Sequence, residues 1–140
     1  MTAIRLVGIR EEPLSVDEVY SAVRDPLAGG ICLFVGTIRS ADGGRDVEGL
    51  GYSAHPSATD ALAQVCADVA TRHDVIAIAA VHRIGDLAVG DLATVVAASS
   101  VHRADAFAAA QDLIDTLKST VPIWKHQRFS DGEAEWVGLP

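Results

Sequence analysis

A chain of 140 residues, 49% hydrophobic and 21% charged, holds enough apolar material for one packed core and too much to stay disordered. Its formal charge of -8, from 11 basic against 19 acidic residues, makes it a poor general binder of nucleic acid or anionic membrane, so an anionic substrate needs a local cationic pocket. The N-terminus lacks a signal peptide's apolar stretch and no run approaches the roughly 20 apolar residues of a membrane span, which makes a soluble, cytoplasmic protein the expectation.

Residues 3–9 (AIRLVGI) read as a short strand. Ser15 and Glu18 stand at capping-box spacing, which predicts a first helix over SVDEVYSAVRD. After Pro26 and Gly29-Gly30, the run ICLFVGTI is apolar at both alternating positions and predicts a strand covered on both faces. Residues 40–46 (SADGGRD) read as a polar, glycine-rich loop, and VEGLGYSA as the next strand. A second helix is predicted over 57–73, with Leu62, Val65, Cys66 and Val69 on one face. The stretch from Val75 to Val101 reads as two or three strands, punctuated by Ile84-Gly85-Asp86 and Val89-Gly90-Asp91. A third helix over about 103–119 places Phe107, Ala110, Ile114 and Leu117 at core spacing and stops at Pro122. VPIWKHQRF is a strand, and EAEWV a last one. Helices and strands do not alternate strictly, which favours an α+β domain with a mixed, mainly antiparallel sheet over a doubly wound parallel one.

The cations are unevenly chosen. Nine of the eleven basic residues are arginine, and the two lysines, Lys118 and Lys125, flank the end of the third helix and the start of the next strand. Arginine is a permanent charge, whereas lysine can serve as acid, base or nucleophile once burial or a neighbouring cation lowers its pKa. The plainer reading is that Lys118 complements the helix dipole and Lys125 is a solvated strand residue. His102 and Arg103 open the third helix, where free N–H groups favour anions; a polar helix entrance with Arg103 paired to an acid is the alternative. Arg39, at the mouth of the glycine-rich loop, is either a substrate-facing charge or a surface arginine.

His55, His73 and His82 fall in no metal-ligand spacing, and no nucleotide or serine-hydrolase motif occurs, so no metal or cofactor is expected. Cys32 and Cys66 sit in apolar surroundings without CxxC spacing and read as inert, buried thiols. Any sulfur chemistry would draw its sulfur from elsewhere.

The run VHRIGDLAVGD, followed by SSVHRADAF, LIDTLKSTVPIWKHQ and DGEAEWV, resembles the large, catalytic subunit family of molybdopterin synthase, and GGICLFVGTIR is similar to that family's N-terminal glycine–strand–arginine segment. The likeness spans about residues 29 to 137 and is most specific from His102 to Lys125. It implies a single domain over residues 1–140 with an α/β hammerhead-type fold. It also implies a homodimer whose subunits each bind a small ubiquitin-like sulfur-carrier subunit, giving a heterotetramer. The carrier's C-terminal Gly-Gly thiocarboxylate threads into a pocket of the large subunit. Two carriers in succession each supply one sulfur to cyclic pyranopterin monophosphate, and the product is molybdopterin, the dithiolene of molybdenum cofactor biosynthesis. No metal is implied for this step.

Position by position, the resemblance puts Lys118 and Lys125 in the places of the family's two catalytic lysines, His102 and Arg103 in those of its anion-binding pair, and Arg39 in that of the arginine after the first central strand. A cluster of these residues would offset the charge of a phosphate ester and a thiocarboxylate. Two departures stand out: Gln127 replaces a usual acidic residue, and Tyr52-Ser53-Ala54-His55 replaces a Tyr-Glu-Ala-Tyr strand. They leave open a catalytically weak paralogue that docks the ubiquitin-like tail without transferring sulfur. An unrelated phosphate-ester enzyme built on His102 and Arg103 is a further alternative.

Overall fold

The computed structural model describes residues 3–138. Its elements run β1 (Ile4–Arg10), α1 (Val16–Val23), β2 (Gly30–Thr37), β3 (Ala41–Asp42), β4 (Arg45–Ala54), α2 (Ala58–Arg72), β5 (Ala77–Arg83), β6 (Gly85–Ala88), β7 (Leu92–Ser100), α3 (Arg103–Thr120), β8 (Ile123–Phe129) and β9 (Ala134–Val137). The fold is α+β, as the order of predicted elements implies. Among the described residues no helix is long and apolar enough to cross a membrane.

Local signals set most of these boundaries. Ser15 caps α1, its hydroxyl accepting from the Glu18 N–H at 3.2 Å. Glu18 does not complete the box; its carboxylate pairs with Arg10 of β1, tying the helix to the sheet. The glycine-rich stretch read as a loop is a tight hairpin. Ala41-Asp42 pairs with Arg45-Asp46 across Gly43-Gly44, whose φ angles of 59° and 80° are those of a two-residue turn that matches strand twist.

Two sheets divide the work. The first has the order β1-β5-β7-β2, with β1 parallel to β5 and the other pairs antiparallel. Its centre, β5 and β7, is almost wholly buried because helices cover both faces. On one face, α2 and α3 pack Leu62, Val65, Cys66, Val69, Leu113 and Leu117 against Ile78, Val96 and Ala98. On the other, Val19 and Val23 of α1 meet Val81, Val95 and Ala97. The second sheet, β3-β4-β8-β9 with β6 also on β4, is antiparallel throughout. A small cluster of Ile38, Leu50, Leu87 and Ala93 supports it.

Two further sequence expectations change. β2 meets the core on both faces, Cys32 on one and Ile31, Leu33 and Val35 on the other, but as the edge strand of the first sheet it is covered only in part, and Phe34 is 40% exposed. Nor does Phe107 enter the core; it is 61% exposed. α3 buries Ala106, Ala109, Ala110, Leu113 and Leu117, and Ile114 only in part. Its alanines let the helix lie close to β2 and β7, which turns Phe107 towards the uncovered flank beside β2.

Candidate active site

The two lysines come together through the break that Pro122 enforces. Val121 closes α3, its N–H donating to the Leu117 carbonyl at 3.1 Å. The chain then reverses into β8, which pairs with β4 in a register that sets Lys125 opposite Tyr52. Lys118, in the last turn of α3, and Lys125 therefore line one cavity of about 200 Å³, walled also by Tyr52, His82, Val121, Ile123, Val137 and Gly138. Lys118 keeps contact with solvent through the open pocket. Crowding by protein around its amine, and then the charge of Lys125, hold its pKa below the ordinary lysine value. A helix C-terminus favours a cation, so this depression runs against the dipole.

Lys125 and Tyr52 also line an adjoining cavity with Arg39 and Gln127. Arg39 is open, its side chain 75% exposed, and it meets Asp42 of the hairpin at 3.5 Å. Gln127 is 3% exposed, and its amide nitrogen donates to Asp42 at 2.8 Å and to Glu135 at 3.2 Å. That double donation explains the residue: a neutral donor satisfies two carboxylates where a third carboxylate would repel both. The Gln127 hydrogen bond, helped by the charges of Arg39 and Lys125, holds the Asp42 carboxyl below its usual range.

His102 and Arg103 occupy a second, shallow cavity with Gly29, Val101 and Ala104. His102 is the N-cap of α3 and makes no side-chain cap bond, so the first-turn N–H groups stay free for an anion. Glycines at 29 and 30 let the chain before β2 lie close against the start of α3. A Cβ on Gly29 would lie 2.2 Å from the Val101 carbonyl oxygen, and one on Gly30 3.1 Å from the Arg103 Cα.

The expected single cluster does not form within one chain. Arg103 and Lys118 stand at opposite ends of α3, roughly 22 Å apart at 1.5 Å per residue. β2 measures the same gap independently. Gly30 pairs with Ser100 beside the anion cavity, while Thr37 pairs with Leu92 near Arg39, roughly 23 Å away at 3.3 Å per residue. Arg39, Lys118 and Lys125 make one pole, and His102 and Arg103 the other. Sequence spacing could not reveal this, because both groups lie close in the chain to one long helix.

Two further residues of the lysine cavity, Tyr52 and His82, were not among the candidates. The available signal for His82 was a titratable ring in the middle of an apolar run. Neither cysteine joins a site. Cys66 is buried with its thiol pushed up to about 12, and burial raises Cys32 as well.

A family model described as "MoaE protein" matches residues 9–120. Over 131 residues the chain is 44% identical to "Molybdopterin synthase catalytic subunit 1" of Mycobacterium tuberculosis, covering 93% of this chain and 88% of that protein. Over 139 residues it is 40% identical to the molybdopterin synthase catalytic subunit of Halalkalibacterium halodurans, covering 99% and 88%. The fold matches the X-ray crystal structure of molybdopterin synthase from Staphylococcus aureus with a TM-score of 0.88 at 32% identity, over 94% of this chain and 96% of that one.

Proposed function

The chain belongs to the MoaE family, the molybdopterin synthase catalytic subunits of molybdenum cofactor biosynthesis, and from that premise we propose that it moves sulfur from a small ubiquitin-like carrier to cyclic pyranopterin monophosphate. The observation that carries the reading is the meeting of Lys118 and Lys125 in one solvent-open cavity, with the Lys118 pKa lowered. Each transfer replaces a carbon–oxygen bond of the pterin side chain with a carbon–sulfur bond, the oxygen departing as water or as phosphate oxygen, and hydrolysis breaks the acyl carbon–sulfur bond of the carrier tail, which leaves as a carboxylate with an oxygen from water. Lys125 serves the tail carbonyl, and Lys118 exchanges a proton on the pterin side. An amine with a lowered pKa suits that second task, and arginine does not.

The divided site leads to a homodimer. β2 is an open edge of the first sheet, and Phe34, Val101 and Phe107 lie exposed along its flank. Twofold pairing of two β2 edges is antiparallel, so the Gly30 end of one copy lies beside the Thr37 end of the other. His102 and Arg103 of one copy then face Arg39 and the lysines of the other, and hold the substrate phosphate there. Each lysine pocket receives one carrier tail, which makes the assembly a heterotetramer.

The decisive experiment incubates the purified protein with cyclic pyranopterin monophosphate and a carrier bearing a Gly-Gly thiocarboxylate. The expected result is dithiolene product and desulfurated carrier. Carrier binding without product would make the chain a docking paralogue. Failure to bind any Gly-Gly-tailed carrier would reject the reading.

A further inference from the structure

The lysine cavity contains a third nitrogen base that the reaction above does not use. His82 lies on β5, where Ala77 through Val81 are apolar and buried, and it is itself 1% exposed. A polar ring at that depth costs stability unless its nitrogens are satisfied. Nδ1 is satisfied: it lies 2.7 Å from the backbone oxygen of Arg83. A carbonyl only accepts, so Nδ1 carries the hydrogen, and in the neutral ring Nε2 is a bare lone pair. Among the described residues nothing donates to Nε2. Nor is it one of the buried polar atoms sealed from solvent without a partner. The ring forms part of the wall of the cavity that Lys118 and Lys125 share, so this free acceptor opens on the reaction space.

The surroundings keep the acceptor neutral and aimed. Burial, followed by the charge of Lys118, pushes the His82 pKa down to about 4, against the pull of the Arg83 carbonyl. The ring of Tyr52 meets it edge-on, with centroids 4.9 Å apart and planes at 87°. The Arg83 carbonyl fixes the ring at Nδ1.

We propose that His82 is a substrate-binding residue of this site, its Nε2 accepting a hydrogen bond from an N–H group of the reactant held between the lysines. The proposal rests on the sulfur-transfer reading. Both reactants carry such donors, as ring N–H groups of the reduced pterin and as glycine amides of the carrier tail. An acceptor that stays unprotonated at neutral pH discriminates between ring edges. A reduced pterin satisfies it with N–H, whereas an edge offering only lone pairs leaves two acceptors facing each other in a partly dry pocket.

The test uses the whole protein with ¹⁵N-labelled histidine, observed by NMR near neutral pH. The free protein should show His82 Nε2 as an unprotonated nitrogen. Saturation with cyclic pyranopterin monophosphate should move that resonance in the direction of an accepted hydrogen bond. A parallel titration with carrier ending in an ordinary Gly-Gly carboxylate tells whether the tail amide is the donor instead. His82→Leu should weaken binding of the responding reactant about fivefold to tenfold, and His82→Gln, which keeps an acceptor, about threefold or less. A protonated Nε2 in the free protein, or a resonance that neither reactant moves while the wild type still makes product, overturns this proposal alone. A wild type that neither binds nor converts the reactants overturns the sulfur-transfer reading and this proposal with it. Should His82→Leu fail to fold, the wild-type titration decides unaided.

Discussion

The two ends of α3 hold positive charge under opposite conditions. At the N-terminal end, the exposed Arg103 guanidinium, beside His102, adds its charge to first-turn N–H groups that no side-chain cap satisfies, with Asp105 the acid of that turn. At the C-terminal end, the dipole favours Lys118, yet crowding and Lys125 lower its pKa. Holding a phosphate calls for permanent charge open to solvent. Exchanging a proton calls for an amine whose charge is already strained. Arginine at one end and lysine at the other match those tasks, and a single cluster would have compromised both.

The contrast breaks most sharply at the lysine end. Lys118→Arg and Lys125→Arg keep charge, fold and carrier binding, and each should lower kcat by about 100-fold or more, the scale of a lost acid–base group. Steady-state product formation measures this, and wild-type rates in both variants would reduce the lysines to simple charges.

At the other end, Arg103→Ala should weaken substrate affinity about tenfold or more, the value of a charge-assisted hydrogen bond, with kcat at saturation little changed. Mixing Arg103→Ala with Lys118→Arg sharpens the comparison. If the two poles meet across a dimer, a mixed dimer contains one intact site. Subunit exchange of equal amounts should then restore about a quarter of wild-type activity at low substrate. Absence of any recovery would show that the poles do not meet this way.

The smallest effect on turnover is expected at Gln127, beside Arg39 and Lys125 in the lysine pole. Gln127→Glu should leave turnover within a few-fold of wild type and cost about 1–3 kcal/mol of stability at neutral pH, because a third carboxylate joins Asp42 and Glu135. The folded-state pKa of that glutamate is raised, so the folded protein binds the proton more tightly than the unfolded chain. The loss is therefore full above the raised pKa and shrinks as pH falls through it. Denaturant midpoints at pH 7 and pH 5 read the sign, and equal losses at both would contradict it.

The sequence by itself determined the elements whose causes are local. The Ser15 cap, the apolar stripe of α2 through Leu62, Val65, Cys66 and Val69, and the stop at Pro122 each act within a few residues, and each stands where spacing put it. Sequence also singled out the two lysines, since Lys118 and Lys125 flank a chain reversal that could hardly keep them far apart. Only tertiary structure decided which surfaces are covered. The same apolar run serves a central strand or an edge strand, and ICLFVGTI became the edge because among the described residues no strand pairs beyond β2. Phe107 left the core because small alanines on the neighbouring face allowed a closer approach. The separation of His102 and Arg103 from Arg39 follows from α3 and β2 lying as straight rods across the same sheet, a length that motif order does not encode. His82 became part of the site only when β4, β5, α3 and β8 converged on one cavity, because a buried ring's free nitrogen has meaning only beside the surface it faces.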